Sequence, residues 1–131
     1  MILRTFGVRG ARGEAENGFP HIIKGGLPAL LAARRRGVSE EHARLDALMA
    51  IMSSLVDTCL LHRGGWRALD LARRGARTVL EQGGTGTPKG IEALMQLDAL
   101  LLDLHASPGG SADLLAGTLF LDSLARISRA L

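Results

Sequence analysis

The chain is 131 residues long, 47% hydrophobic and 22% charged, with 16 Lys and Arg against 13 Asp and Glu, a formal net charge of +3. Those values fit one globular domain with a modest core rather than two domains or a disordered segment. Aromatic content of 3% leaves few platforms for base stacking, so the Arg-rich balance suits a phosphorylated small molecule at least as well as a nucleic acid. The single cysteine, Cys59, excludes an internal disulfide. No apolar run approaches the roughly 18 residues needed to span a bilayer, and the first 13 residues are too rich in Arg and Gly for a signal peptide. The expected location is the cytoplasm, with no membrane partner.

Residues 1–20 place Gly7, Gly10, Gly13, Gly18 and Pro20 among charged side chains, a spacing that predicts loop. A short helix is expected to begin near Pro28, since proline suits the first helical position, and to end at Gly37 after Arg34, Arg35 and Arg36. Ser39 then reads as the N-cap of a long helix with Glu40 and Glu41 in its first turn. Leu45, Leu48, Met49, Met52, Leu55, Val56 and Cys59 continue one apolar stripe at 3.6-residue spacing, which carries this helix to about Arg63 and makes it the expected centre of the fold. Gly64 and Gly65 are expected to stop it. A third helix follows from about Arg67 to Gln82, Thr87 and Pro88 open a fourth reaching about His105, and Ser111 is expected to cap a fifth that runs to the C-terminus. Nothing reads as a strand. The expected fold is all-α: one helical domain over 1–131, of about five helices around the long one.

Three stretches concentrate chemistry. Asp57-Thr58-Cys59-Leu60-Leu61-His62-Arg63-Gly64-Gly65 gathers a carboxylate, an imidazole and a guanidinium at the end of an apolar helix; the ordinary reading is that His62 and Arg63 satisfy helix-terminal carbonyls. On one continuous helix Asp46 and Asp57 would lie about 16 Å apart, too far to share an ion. Ser107-Pro108-Gly109-Gly110-Ser111-Ala112-Asp113 is a glycine loop opening into a helix, an arrangement that favours phosphate but is also common turn chemistry. Arg12-Gly13-Glu14-Ala15 with Gly18-Phe19-Pro20 offers Arg and Glu on a glycine-rich segment, or else a mobile tail. Gly83-Gly84-Thr85-Gly86-Thr87-Pro88-Lys89 lacks the glycine before lysine and the following hydroxyl of a Walker loop. Asp98 stands out inside the apolar stripe of the fourth helix.

In order and interval these motifs resemble the C-terminal part of the triphosphoribosyl-dephospho-CoA synthase family, and the resemblance covers almost the whole chain. The continuation Gly117 to Leu121 is most similar to members serving malonate decarboxylase, with citrate lyase members close behind. Family members typically carry asparagine where Cys59 stands, and a longer N-terminal half with a Pro-Lys-Pro-Gly stretch that does not occur here. The resemblance implies transfer of the triphosphoribosyl group of ATP to the 2'-hydroxyl of 3'-dephospho-CoA with release of adenine, and Mg²⁺ on the triphosphate. It makes Arg12 and Arg63 candidates to clamp phosphates, Asp57 and Asp113 to ligate Mg²⁺ or steady the cationic sugar, and Glu14, His62 and Asp57 the candidate catalytic groups. Gly109, Gly110 and Ser111 would receive a phosphate chain. His62 and Asp57 are expected to line one polar cavity with the loop from Ser107 to Asp113. The missing N-terminal half is the expected partner. A non-catalytic helical fragment that keeps the fold without the reaction is the alternative, and the sequence leaves the oligomeric state open.

Overall fold

The computed structural model describes residues 14, 15 and 17–130. Glu14 and Ala15 form a helical turn, Asn17 and Gly18 a tight turn, and Ile22–Gly26 a π-helical segment that runs straight into α1, Leu27–Arg35. The other helices are α2 (Glu40–Met52), α3 (Thr58–Glu81), α4 (Pro88–Asp103) and α5 (Gly109–Ala130). Among the described residues there is no strand. The fold is all-α and single-domain, as expected, but the helix boundaries inside it are redrawn.

Ser39 does cap α2, accepting from the His42 amide, and α1 does end at Gly37, whose φ of +79° suits glycine. The long helix over 40–63 does not exist. The chain leaves α2 after Met52, where Ser53 turns its hydroxyl back onto the Ala50 carbonyl, and it re-enters a helix only at Thr58. Asp57 is therefore the first residue before a helix, not the last turn of one. Gly64 and Gly65 do break the helix that begins at Thr58, as expected. Gly65 takes φ +70° and ψ −168°, a kink, after which Ala68, Leu69, Ala72, Ala76 and Val79 resume the buried face begun by Leu60 and Leu61. α3 is therefore two helical segments that meet at Gly65, the second of them the helix expected from about Arg67 to Gln82.

The most widely packed element is α2, which meets the π-helical segment, α1, α3 and α5, while α3 packs against α2, α4 and α5. The buried face of α3 joins Met49 and Met52 of α2 and Leu97 and Leu101 of α4 in the main apolar core. A second cluster links Ile22, Ile51 and Leu55 to Leu114 of α5, and a third buries Leu30, Ala33, Ala43 and Ala47. At about 25 cal/mol per Å² each fully buried leucine contributes roughly 2 kcal/mol to holding these helices together.

Candidate functional site

Buried carboxylates organise the places where helices begin. Asp57 is 1% exposed and accepts five hydrogen bonds. Its Oδ1 takes the amides of Cys59 and Leu60, the second and third residues of α3, at 3.0 and 3.3 Å. The same oxygen accepts from the Gly110 amide at 3.2 Å, while Oδ2 accepts from the Ser111 amide and hydroxyl, both at 2.8 Å. Gly110 and Ser111 are the second and third residues of α5. One carboxylate thus caps two helices in the same register, satisfying free amides of both and facing the positive end of both dipoles. The arrangement follows from local sequence: Pro108 precedes α5 and has no side-chain oxygen, so the cap has to arrive from elsewhere. Glycine at 110 permits the approach, since a Cβ there would lie 3.0 Å from Oδ1.

This geometry corrects three expectations. Ser111 is not the cap of α5 but a donor inside its first turn. Gly110 and Ser111 have their donors engaged by Asp57, so the loop does not offer them to a phosphate. Asp57, with both oxygens saturated by five donors, does not fit a Mg²⁺ ligand. Asp113 is exposed and fits such a role as a single carboxylate; among the described residues no group of three His, Cys, Asp or Glu is arranged to hold a metal.

Asp57 and Asp113 do share a cavity, about 70 Å³, whose walls also include Thr58, Cys59 and Gly110. It has room for water or a small group, far less than the roughly 300 Å³ at which small-molecule sites begin. His62 is exposed and lies outside that lining. Arg63 is exposed and donates from Nε to the carbonyl of His105, in the turn beyond α4, at 2.9 Å, so it ties α3 to that turn rather than satisfying the terminal carbonyls of a helix. Cys59, expected on the buried stripe, is exposed, with its sulfur packed near Gly109, where a Cβ would lie 2.8 Å away.

Glu14 is buried and binds His21: Oε1 accepts the His21 amide and Oε2 lies 2.8 Å from Nδ1. It ties the entering segment to the π-helical turn and is distant in sequence from the Asp57 cluster. Arg12 lies outside the described residues.

Two buried carboxylates were not among the candidates. Asp46 is buried and accepts from the Thr85 amide at 2.7 Å and the Thr85 hydroxyl at 2.8 Å, while Arg36 approaches its Oδ2 at 3.3 Å. The glycine run before α4 is therefore held as structure, with the single Thr85 hydroxyl proton shared between Asp46 and the His42 carbonyl, which lies 3.0 Å away. Asp122 on α5 accepts from Arg34 at 2.9 Å, and Arg126 stands 3.2 Å from its Oδ2 in an ion pair without hydrogen-bond geometry. Arg34 also grips Glu40 through two nitrogens. Its guanidinium holds the Glu40 carboxyl down to about 2 and the Asp122 carboxyl below the usual carboxylate range. Asp46 had a legible signal, a carboxylate among Leu45, Ala47 and Leu48; Asp122 likewise sits between Leu121 and Leu124.

The molecule is a helical-bundle domain whose polar residues are gathered at helix starts by buried carboxylates. It belongs to the CitG family, ATP:dephospho-CoA triphosphoribosyl transferase, which it matches over residues 2–130. It is 57% identical over 123 residues to a protein of Stutzerimonas stutzeri named as a probable 2-(5''-triphosphoribosyl)-3'-dephosphocoenzyme-A synthase, covering 94% of this chain and 42% of that protein. It is 56% identical over 122 residues to the 2-(5''-triphosphoribosyl)-3'-dephosphocoenzyme-A synthase of Klebsiella pneumoniae, covering 93% and 44%. The chain spans less than half the length of these relatives. No solved structure matches it. Among the described residues no helix is long and apolar enough to cross a membrane.

Proposed function

We propose that the chain supplies part of a triphosphoribosyl transferase that moves the triphosphoribosyl group of ATP to 3'-dephospho-CoA. The observation that carries this reading is the family match along almost the entire sequence. In the reaction the 2'-hydroxyl oxygen of dephospho-CoA bonds to the anomeric carbon of the ATP ribose, the bond from that carbon to adenine breaks, and adenine leaves with the proton. Asp57 positions, holding α3 and α5 so that Asp113 and the exposed His62–Arg63 pair stand where the two helices start. Arg63 keeps its terminal nitrogens for phosphate, because only Nε is spent on the His105 carbonyl. His62 is the candidate proton donor to adenine, since Glu14 is committed to His21.

A cavity of about 70 Å³ cannot enclose ATP, which agrees with a site completed by further chain. A chimera in which this chain replaces the matched region of the Klebsiella synthase tests the proposal by release of adenine from ATP in the presence of dephospho-CoA. Arg63→Met should lower kcat/KM by about tenfold or more, as loss of a charged phosphate contact does. A chimera with no transfer activity, or one indifferent to Arg63→Met and His62→Gln together, would sink it. The second reading, a helical module without catalysis, predicts a folded but inactive chimera.

A further inference from the structure

Among the described residues the main core is open on one side. Helices α2 and α4 both lean on α3 but hardly on each other. Between them runs a groove of about 460 Å³ into which Leu48 and Met52 of α2 and Leu94, Met95 and Leu102 of α4 contribute side chains, and Asp98 is the only charged residue in its lining. Leu48 and Leu94 pack directly against the buried core cluster, so the groove floor is the core itself. On the rim Met95 is 67% and Leu102 69% exposed, unusual values for large apolar side chains that flank one concavity.

We infer that this groove seats a helix from the part of the synthase chain that lies outside the region matched here. The inference rests on family membership and not on the proposed chemistry. Two helices splayed on a third, apolar toward each other, leave a slot with the outline of a missing bundle member. The relatives supply the length: more than half of each, 58% in Stutzerimonas and 56% in Klebsiella (the complements of 42% and 44%), has no counterpart in this chain. A second copy is a poor occupant. Groove against groove sets concave on concave and leaves voids. The exposed apolar stripe of Phe120, Leu124 and Ile127 on α5 gives a second copy one route into the groove, which the dilution test below separates from the helix proposed. Asp98 adds a chemical requirement: the seated helix carries apolar side chains at i, i+3 or i+4, and i+7, with a Lys or Arg placed to pair with Asp98.

Methionine oxidation reads the groove without any activity assay, because peroxide attacks an exposed thioether and spares a covered one. Met95 in the isolated chain should oxidise readily, and in the chimera with the remainder of the Klebsiella synthase its rate should fall by about tenfold or more. The exposed-face variant Met95→Asp with Leu102→Asp should leave unfolding of the isolated chain within about 2 °C of the parent, yet lower that of the chimera by about 5 °C or more, whereas Leu124→Asp should have no such selective effect. Equal Met95 reactivity in both proteins would overturn the inference, as would equal shifts in both or a chimera that does not fold. Protection of Met95 already present in the concentrated isolated chain and lost on dilution would name a second copy as the occupant, and would overturn it too. An inactive chimera with Met95 protected would leave this inference standing while the transferase proposal fell.

Discussion

Replacing Asp57 by alanine removes one side chain and uncaps two helices. Five donors lose their acceptor: the amides of Cys59, Leu60, Gly110 and Ser111 and the Ser111 hydroxyl. A lost cap costs about 1 kcal/mol, within a range of roughly 0.5–2. Two caps give about 2 kcal/mol, and the amides of Leu60 and Ser111, in buried residues, raise this toward 3–4 kcal/mol because water reaches them poorly. For a domain of this size about 4 °C accompanies each kcal/mol, so the unfolding midpoint should fall by roughly 12–16 °C. Thermal unfolding followed by far-UV circular dichroism measures it. Asp57→Asn should cost less, about 1–2 kcal/mol, because one oxygen still accepts while the amide nitrogen meets the Ser111 N–H. In a double-mutant cycle Asp57→Ala and Ser111→Ala should be non-additive by about 1 kcal/mol. If Asp57→Ala unfolds within 2 °C of the parent, or if the two substitutions simply add, the double-cap account is wrong.

Three further outcomes follow from other contacts. Gly90→Ala should destabilise by about 3 kcal/mol or more in chemical denaturation, since a Cβ would lie 1.6 Å from the Gly84 carbonyl oxygen, a backbone atom that cannot move aside cheaply; a loss under 1 kcal/mol would show that the turn yields. Thr85→Val keeps shape but deprives Asp46 and the His42 carbonyl of a donor, and should cost about 1–3 kcal/mol by the same measurement. Acid titration should reveal the Arg34 cluster. Glu40 is held near 2 against an ordinary 4.5 and Asp122 below its ordinary 3.8, so unfolded chains bind protons first. That stability is complete above about pH 4.5 and is lost as pH falls toward 2, and Arg34→Met should flatten the decline. An identical pH profile for the variant would refute the assignment.

The all-helical class, the start of α2 at Ser39 and that of α4 at Thr87 and Pro88, and the turn at Gly37 were readable from the sequence, because caps, glycine and 3.6-residue spacing act over a few neighbours. The motifs that carry the family resemblance were readable for the same reason, being contiguous. The break between α2 and α3 was not. Leu55 and Val56 continue the apolar period through it, so periodicity predicted one helix, while the deciding signal, Asp57 as a cap, looks from one strand of sequence like any acidic residue. The break at Gly64 and Gly65 was readable for the same local reason, since Gly65 takes the positive φ that glycine allows.

The candidate site divides along the same line. Residue types at Asp57, Arg63 and Asp113 came from the sequence, and Asp57 was expected beside the Ser107–Asp113 loop, where it indeed lies. What each side chain does depended on partners 42 to 54 residues away: the His105 carbonyl for Arg63, and Gly110 and Ser111 for Asp57. A carboxylate's role is set by how many donors surround it, a sum over neighbours that chain order does not encode. Tertiary packing therefore turned Asp57 from a ligand candidate into the joint between two helices, left Asp113 and Arg63 with free capacity, and opened the α2–α4 groove, where apolar stripes legible one by one proved to line one slot among the described residues.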